Sequence, residues 1–329
     1  MKDTTSVAVI GAGYWGKKVS SEYLTLEREQ ERCLLYVCDN LEDNLRYCNE
    51  NFNIPRSRLL DNHREVLDSD IIDAVHICTP NNTHYQLAKE ALTAGKHVLL
   101  EKPMTLSSGQ AFDLMNLAKK EELILQVGYI FRFNNALTEA RKLIEERYFG
   151  DLYYLRLQWT TLTLPTPKRD IIFDLGPHPV DVVNFLLETW PSKVTCKARS
   201  FTRKNFPETA YALLELDKSV MANIELSWLQ PGKERRADII GSERSATIDC
   251  LNQEITIFQS HGSVNYNIDV QPNNTILTEV NNFIENISGK TKSVNSGLVG
   301  PLNVLVLENL QKSIVEDRTL KIDFTARVS

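Results

Sequence analysis

The run Gly11-Ala12-Gly13-Tyr14-Trp15-Gly16 has the spacing GxGxxG, and three glycines so placed do three separate jobs. The first permits a tight turn, the second lets the backbone approach a pyrophosphate, and the third lets a helix lie close to the strand before it. Free N–H groups and the positive end of the helix that opens there face negative charge. Asp39 stands 23 residues beyond Gly16, the place for a carboxylate that accepts hydrogen bonds from an adenosine ribose. Asn40 follows it rather than a basic residue, which favours NAD; the loop alone leaves NADP open. The plainer role for Asp39 is to cap a helix at a strand–helix turn. A second set of residues suits proton handling. An imidazole as a group suits that task, and His178 follows Asp174 by four positions, so a helix or tight turn puts both on one side. Lys102, after an apolar run, offers an ammonium to a developing alkoxide. Singly, each has a simpler explanation as a solvated lysine, a packed histidine or a cap. A base and an ammonium of these kinds could also serve a reaction that moves a proton, and the residue types alone leave both readings open.

These residues need a scaffold, and the first third of the chain supplies one. Val7–Ile10, Leu34–Cys38, Leu59-Leu60, Ala74–Cys78, His97–Leu100 and Leu123–Val127 are short apolar runs separated by amphipathic stretches. Alternating strands and helices with nearly continuous apolar strands predict a parallel sheet covered on both faces. After Gly128 the pattern changes. One helix near 135–147 precedes a strand over 152–159, and another runs from about His178 to Glu188. Strand-like runs then follow at 193–201, 208–216, 220–228, 237–241, 246–250 and 254–258, joined by short polar turns. They predict a mostly antiparallel open sheet, closed by helices at 276–287 and 298–315. The fold class is therefore α/β: a Rossmann doubly wound domain over 1–125 and an α+β domain over 126–329 for substrate and oligomerisation.

Three further stretches carry a family resemblance. They are Cys78-Thr79-Pro80-Asn81-Asn82-Thr83-His84, then Gly95-Lys96-His97-Val98-Leu99-Leu100-Glu101-Lys102-Pro103, and then Asp174-Leu175-Gly176-Pro177-His178-Pro179-Val180-Asp181. In that order and spacing the chain resembles the Gfo/Idh/MocA family, named for glucose–fructose oxidoreductase, inositol dehydrogenase and a rhizopine-catabolism protein. The resemblance runs over essentially the whole chain, through Val127–Phe133 to a closing helix with Ser313. It implies NAD(P)-dependent hydride transfer at a secondary alcohol or ketone of a sugar, cyclitol or nucleotide sugar, and a Lys102–Pro103 bond that is often cis. It implies Lys102, Asp174 and His178 as catalytic residues. It also implies cofactor contacts at Gly11, Gly13, Tyr14, Trp15, Gly16, Asp39, Thr79, Pro80, Asn81, His84, Glu101 and Lys102. On the substrate side the expected residues are Lys102, Arg132, Arg169, Asp174 and His178; Lys168 and Arg236 are further cations suited to an anionic group. The chain departs from the family on that side. Arg169–Phe173 replaces a frequent Gly-Gly pair, Pro179 a common Asp, and Asn135 a frequent Pro. Two alternatives stand beside the dehydrogenase: an NADPH-dependent keto-sugar reductase, and a non-catalytic NAD(P)-sensing regulator, which has no need of all three catalytic residues.

Composition sets the outer bounds. The 329 residues exceed one compact core, and 42% hydrophobic with 24% charged residues is ordinary for a folded protein. A net charge of −6 argues against nucleic-acid or anionic-membrane partners, and no apolar run approaches the roughly 18 residues of a span. Six scattered cysteines without CxxC point to buried thiols in a reducing compartment, and so to the cytoplasm. No HExxH or Cys/His motif calls for a metal. A sheet with one uncovered face calls for a partner, so a homodimer or homotetramer through the second domain is expected.

Overall fold

The computed structural model describes residues 4–163, 169–216, 220–259 and 265–324. In chain order the first elements are β1 (Thr5–Ile10), α1 (Tyr14–Gln30), β2 (Cys33–Cys38), α2 (Glu42–Phe52), β3 (Leu59–Leu60), α3 (His63–Leu67), β4 (Ala74–Ile77), α4 (His84–Thr93), β5 (His97–Leu100), α5 (Ser108–Lys120) and β6 (Leu125–Val127). The strands form a parallel sheet in the order β3-β2-β1-β4-β5-β6, so the order reverses between β1 and β4. β1 is buried along its whole length, as a central strand covered on both faces must be. The carboxyl ends of β1, β2, β4 and β5 carry the glycine loop, Asp39, Thr79 and Lys102, the edge where open α/β sheets bind ligands.

The second set begins with α6 (Asn135–Glu145), β7 (Leu152–Leu162), α7 (Ile171–Leu175) and α8 (Pro177–Leu187). Strands β8 (Lys193–Arg199), β9 (Thr209–Glu215), β10 (Met221–Ser227), β11 (Leu229–Gly241), β12 (Arg244–Asp249), β13 (Glu254–Gln259) and β14 (Asn265–Ile268) follow. The chain continues through α9 (Thr275–Ile287) and α10 (Val299–Glu316) to β15 (Leu320–Lys321). The sheet order is β14-β13-β12-β11-β7-β10-β9-β8-β15. Its pairs are antiparallel except β7 with β10, which run parallel. A parallel pair needs a long crossover, and the chain from Leu162 to Met221 provides one. Alternation sets the faces: Leu155, Leu157 and Trp159 of β7 point to the core, opposite Ile239, Ala237 and Arg235 of β11. The other face shows Tyr154, Tyr211, Leu213 and Met221, all exposed.

Three features differ from the sequence expectation. The single helix expected from His178 is preceded by α7, with Gly176–Pro177 between the two; Pro177 has no N–H to continue the first helix and opens the second. Strands β14 and β15 leave no mark in the sequence pattern: β14 is largely exposed and lacks an apolar alternation, and β15 has two residues. The chain forms two compact units, 1–130 with 274–301 and 131–273 with 302–329. Residues 274–301, placed by sequence in the second domain, join the first. Val280, Phe283 and Ile284 of α9, at helical spacing, enter the same core as Val19, Tyr23 and Leu26 of α1.

Candidate active site

In the first unit the glycine loop has the shape of a phosphate cradle. Gly11 has φ +96°, a conformation that costs other residues but not glycine. A Cβ on Gly16 would stand 1.8 Å from the Gly11 carbonyl oxygen, so only glycine allows α1 to start there. A Cβ on Gly13 would meet nothing within 4 Å, which leaves that backbone open to a ligand. These are the requirements of a pyrophosphate lying at the helix start, and the loop fits the dinucleotide.

Asp39 directly follows β2 and is almost fully buried. One carboxylate oxygen accepts from Ala12 N at 2.6 Å and Asn44 Nδ2 at 3.1 Å, the other from Leu41 N at 2.8 Å. It therefore braces both the glycine loop and the turn that leads into α2. A carboxylate has about four acceptor positions, so it retains capacity for a ribose hydroxyl. A 2′-phosphate would meet the same negative charge. Replacement Asp39→Ser is expected to weaken NAD binding about tenfold or more and to narrow the gap between NAD and NADP, as read by titration with each. Equal affinities in the unaltered protein would contradict this role.

Tyr14, 78% exposed, lies under the Lys18 ammonium at 4.6 Å. Trp15 donates its indole N–H to Glu101 Oε1. Glu101 Oε1 is also 3.3 Å from His76 Nε2, and Gly128 lies so close that a Cβ there would stand 2.9 Å from its oxygens. Thr79 Oγ1 is 2.6 Å from Thr83 Oγ1, which donates to the Pro80 carbonyl; Asn81 opens this turn. The Lys102–Pro103 peptide is cis. The sequence holds no metal motif, yet the fold brings His76, Cys78 and Glu101 within 4.8 Å of one another. Glu101 is already engaged by Trp15 and His76, and burial followed by the Glu101 charge lifts the Cys78 thiol well above its usual range.

His84, at the start of α4, is fully buried, with Nδ1 2.8 Å from the Pro103 carbonyl and Nε2 3.0 Å from the Thr79 carbonyl. It ties the loop after β4 to the loop that carries Lys102. Burial lowers its pKa from the ordinary 6.5, with the two carbonyls and Glu101 opposing. His97 shifts the same way, again through burial, with Asp73 opposing. A histidine whose folded pKa lies below its unfolded value contributes fully above about pH 6.5 and loses that contribution as pH falls, because the unfolded chain takes the proton first. The melting temperature should therefore fall between pH 7 and pH 5, and less steeply in His84→Gln. Parallel slopes in the two proteins would exclude His84 as a cause.

In the second unit Asp170 caps α7 by accepting from Ile172 N and Phe173 N. That fixes Asp174, whose Oδ2 accepts from Trp228 Nε1 at 3.1 Å and lies 3.5 Å from Arg169 Nη1. Trp228 is buried and stacked on Phe206, with ring centroids 5.8 Å apart. His178 sits in the first turn of α8, where the Phe131 ring meets it edge-on at 5.0 Å. Asn303 Nδ2 donates to the Pro177 carbonyl just before it. Ser313 accepts from Cys196 N and donates to the Arg318 carbonyl, a structural role.

The basic residues divide differently than expected. Arg132 is an internal strut: Nε donates to both Asp181 oxygens at 2.8 and 3.0 Å, and Nη2 to Asn184 Oδ1 at 2.6 Å. Its side chain is 7% exposed and that of Asp181 1%, so the assignment of Arg132 to substrate is corrected to a buried ion pair. Arg236 bonds Asp238 at 2.8 Å and Thr247 at 3.0 Å. Arg169, half exposed, does reach Asp174. Lys168 lies outside the described residues. Arg235 escapes the motif reading. Its one signal is a charge in the alternating row 235, 237, 239 that otherwise faces the core.

Each unit matches a family description. Residues 5–129 match the oxidoreductase family with an NAD-binding Rossmann fold, and residues 137–247 match the GFO/IDH/MocA C-terminal domain. The chain belongs to the Gfo/Idh/MocA oxidoreductase family and has its NAD-binding domain. It is 28% identical over 238 residues to the UDP-N-acetylglucosamine 3-dehydrogenase of Acidithiobacillus ferrooxidans, covering 70% of this chain and 74% of the relative. It is 23% identical over 335 residues to the myo-inositol 2-dehydrogenase of Thermotoga maritima, covering 96% and 98%. The solved structure of the Acidithiobacillus enzyme superposes with a TM-score of 0.83 at 24% identity, covering 94% of this chain and 98% of that one. No helix among the described residues is long and apolar enough to cross a membrane.

Proposed function

We propose that this protein transfers hydride between NAD and a secondary carbinol of a sugar, cyclitol or nucleotide sugar. The observation that carries the reading is the pair Asp174 and His178, held on consecutive short helices by a buried indole and an edge-on phenyl ring. An imidazole and a carboxylate, each held by its own aromatic neighbour on successive helices, suit removal of a hydroxyl proton. Bound NAD supplies the hydride acceptor, C4 of its nicotinamide. His178 accepts the substrate's hydroxyl proton, Asp174 orients the ring or a neighbouring hydroxyl, and Lys102 stabilises the developing alkoxide. Trp15, Thr79, Pro80, Asn81, His84 and Glu101 complete the cofactor's surroundings. The inositol and nucleotide-sugar dehydrogenases among its relatives support this substrate class.

The test is a panel of free sugars, cyclitols and nucleotide sugars assayed with NAD and NADP by the absorbance of reduced nicotinamide. Turnover by one class with NAD is the expected result. Tight NAD binding with no turnover across the panel would favour a sensing role instead. The same reading includes a homodimer or homotetramer through the sheet face bearing Tyr154, Tyr211, Leu213 and Met221. A monomer in sedimentation at micromolar concentration would refute that. Six free thiols, five of them buried, support a reducing compartment and hence the cytoplasm.

A further inference from the structure

Arg235 occupies a position where the strand pattern calls for an apolar side chain. It pairs with Trp159 across β7 and β11, in the row that continues through Ala237 and Ile239 into the core. Its Nη1 donates to the backbone carbonyls of Thr160 at 2.9 Å and Glu234 at 2.6 Å. Both bonds leave through one nitrogen, so the Nε–Nη2 edge, which can fork onto an oxyanion, is not used by them. Among the described residues the guanidinium makes no ion pair within 4 Å, although its charge interacts with that of Asp174. Loss of water pulls its pKa down to about 10, with Asp174 opposing. Burying a cation is costly unless an anion answers it, and Asp174 already accepts from Trp228 and meets Arg169 through the same oxygen, Oδ2. Asp174 is thus shared between Arg169, 3.5 Å away, and the field of Arg235, and Asp174 is itself one of the expected proton-handling residues.

We propose that Arg235, with Arg169 beside Asp174, forms a subsite for an anionic substituent of the substrate, so that the preferred sugar carries a carboxylate or a phosphate. The proposal rests on the dehydrogenase reading and narrows its substrate class. A carboxylate would take the fork of Arg235 through two parallel N–H···O bonds, and a phosphate oxygen pair would do the same. Arg169, more exposed, adds charge at the rim. Lysine in place of Arg235 would keep the charge and lose the fork.

Binding and turnover are to be read separately. Equilibrium binding to the protein with NAD present, followed by tryptophan fluorescence or calorimetry, compares a neutral pyranose with its uronate, its sugar phosphate and its nucleotide-diphosphate form. Absorbance of reduced nicotinamide on the same samples reports hydride transfer. At least one anionic form should bind about tenfold or more tightly than the neutral sugar, and the uronate and phosphate arms identify which oxyanion is taken. Arg235→Met should bring the anionic-to-neutral affinity ratio close to one, and Arg235→Lys should fall between. If the methionine variant does not fold, the ratio in the unaltered protein and in the lysine variant still decides. Equal affinities in the unaltered protein, or a ratio that survives Arg235→Lys and Arg235→Met unchanged, would overturn the subsite. Anion-selective binding without nicotinamide reduction would uphold the subsite and overturn the dehydrogenase reading beneath it.

Discussion

Replacing His178 by alanine is expected to lower kcat by roughly 10²–10⁴-fold, the usual contribution of a positioned acid or base. NAD affinity should change little, because the glycine loop and Asp39 belong to the other unit. The ring lies in the first turn of α8 against Phe131, and Phe131 in turn meets Trp159 edge-on at 5.3 Å. Truncation to alanine leaves an imidazole-shaped gap beside a rigid aromatic wall. Added imidazole should therefore restore part of the turnover, with the restored rate following the fraction of imidazole in its neutral form. A variant with unaltered kcat on its best substrate would remove His178 from the chemistry. A loss without rescue, accompanied by a lowered melting temperature, would show that the ring serves packing. Lys102→Ala belongs to the same experiment: a deficit that grows with the charge developing on the substrate oxygen separates an electrostatic role from a positional one.

Asp181→Ala is expected to be the most damaging substitution for stability. Arg132 and Asp181 form a buried pair with three short contacts and a further bond to Asn184. Removing the carboxylate leaves a guanidinium in a low-dielectric surround, at a cost of about 3–5 kcal/mol. For a unit of this size that corresponds to a fall in melting temperature on the order of 10 °C. Asp181 lies on α8 three residues beyond His178, so turnover should fall with it. The double replacement Arg132→Met, Asp181→Leu removes both charges and should recover much of the loss, since an apolar pair of similar volume often matches a buried ion pair. Thermal melts of the two single variants and the double variant form a cycle that checks this. If Asp181→Ala costs less than about 1 kcal/mol, the strut assignment fails.

Much of the first unit is legible in its residues alone. Continuous apolar runs such as Val7–Ile10 and Val98–Leu100 have one physical solution, a parallel sheet buried on both sides, and Gly11, Gly13 and Gly16 make sense only at its first turn. Pro177 and Pro179 mark His178 as a helix start, whereas Asp174 is singled out only by the motif 174–181, and the helix that carries it leaves no separate signal. What stays hidden depends on partners distant in the chain. Arg132 looks like any exposed arginine until Asp181 folds against it. Arg235 looks like half of a surface Arg-Arg pair until the register with β7 puts it opposite Trp159 and Arg236 on the other face. The pairing of Trp15 with Glu101 joins residues from the first and fifth strand–helix turns, and local pattern has no access to it. Helix α9 shows its amphipathic period plainly, but periodicity says only that one face is buried, not which core receives it.

That last placement has a consequence for how the molecule is made. The unit bearing the glycine loop is completed by residues 274–301, so its core cannot close when the first 130 residues leave the ribosome. The sites for Val280, Phe283 and Ile284 against α1 must wait while residues 131–273 are translated, an interval on the order of ten seconds at ordinary elongation rates. During that time a nascent dinucleotide fold carries an uncovered apolar groove. A gene fragment cut at residue 125 would keep that groove permanently, and the shortest autonomous form of this nucleotide-binding unit has to include a tether to α9.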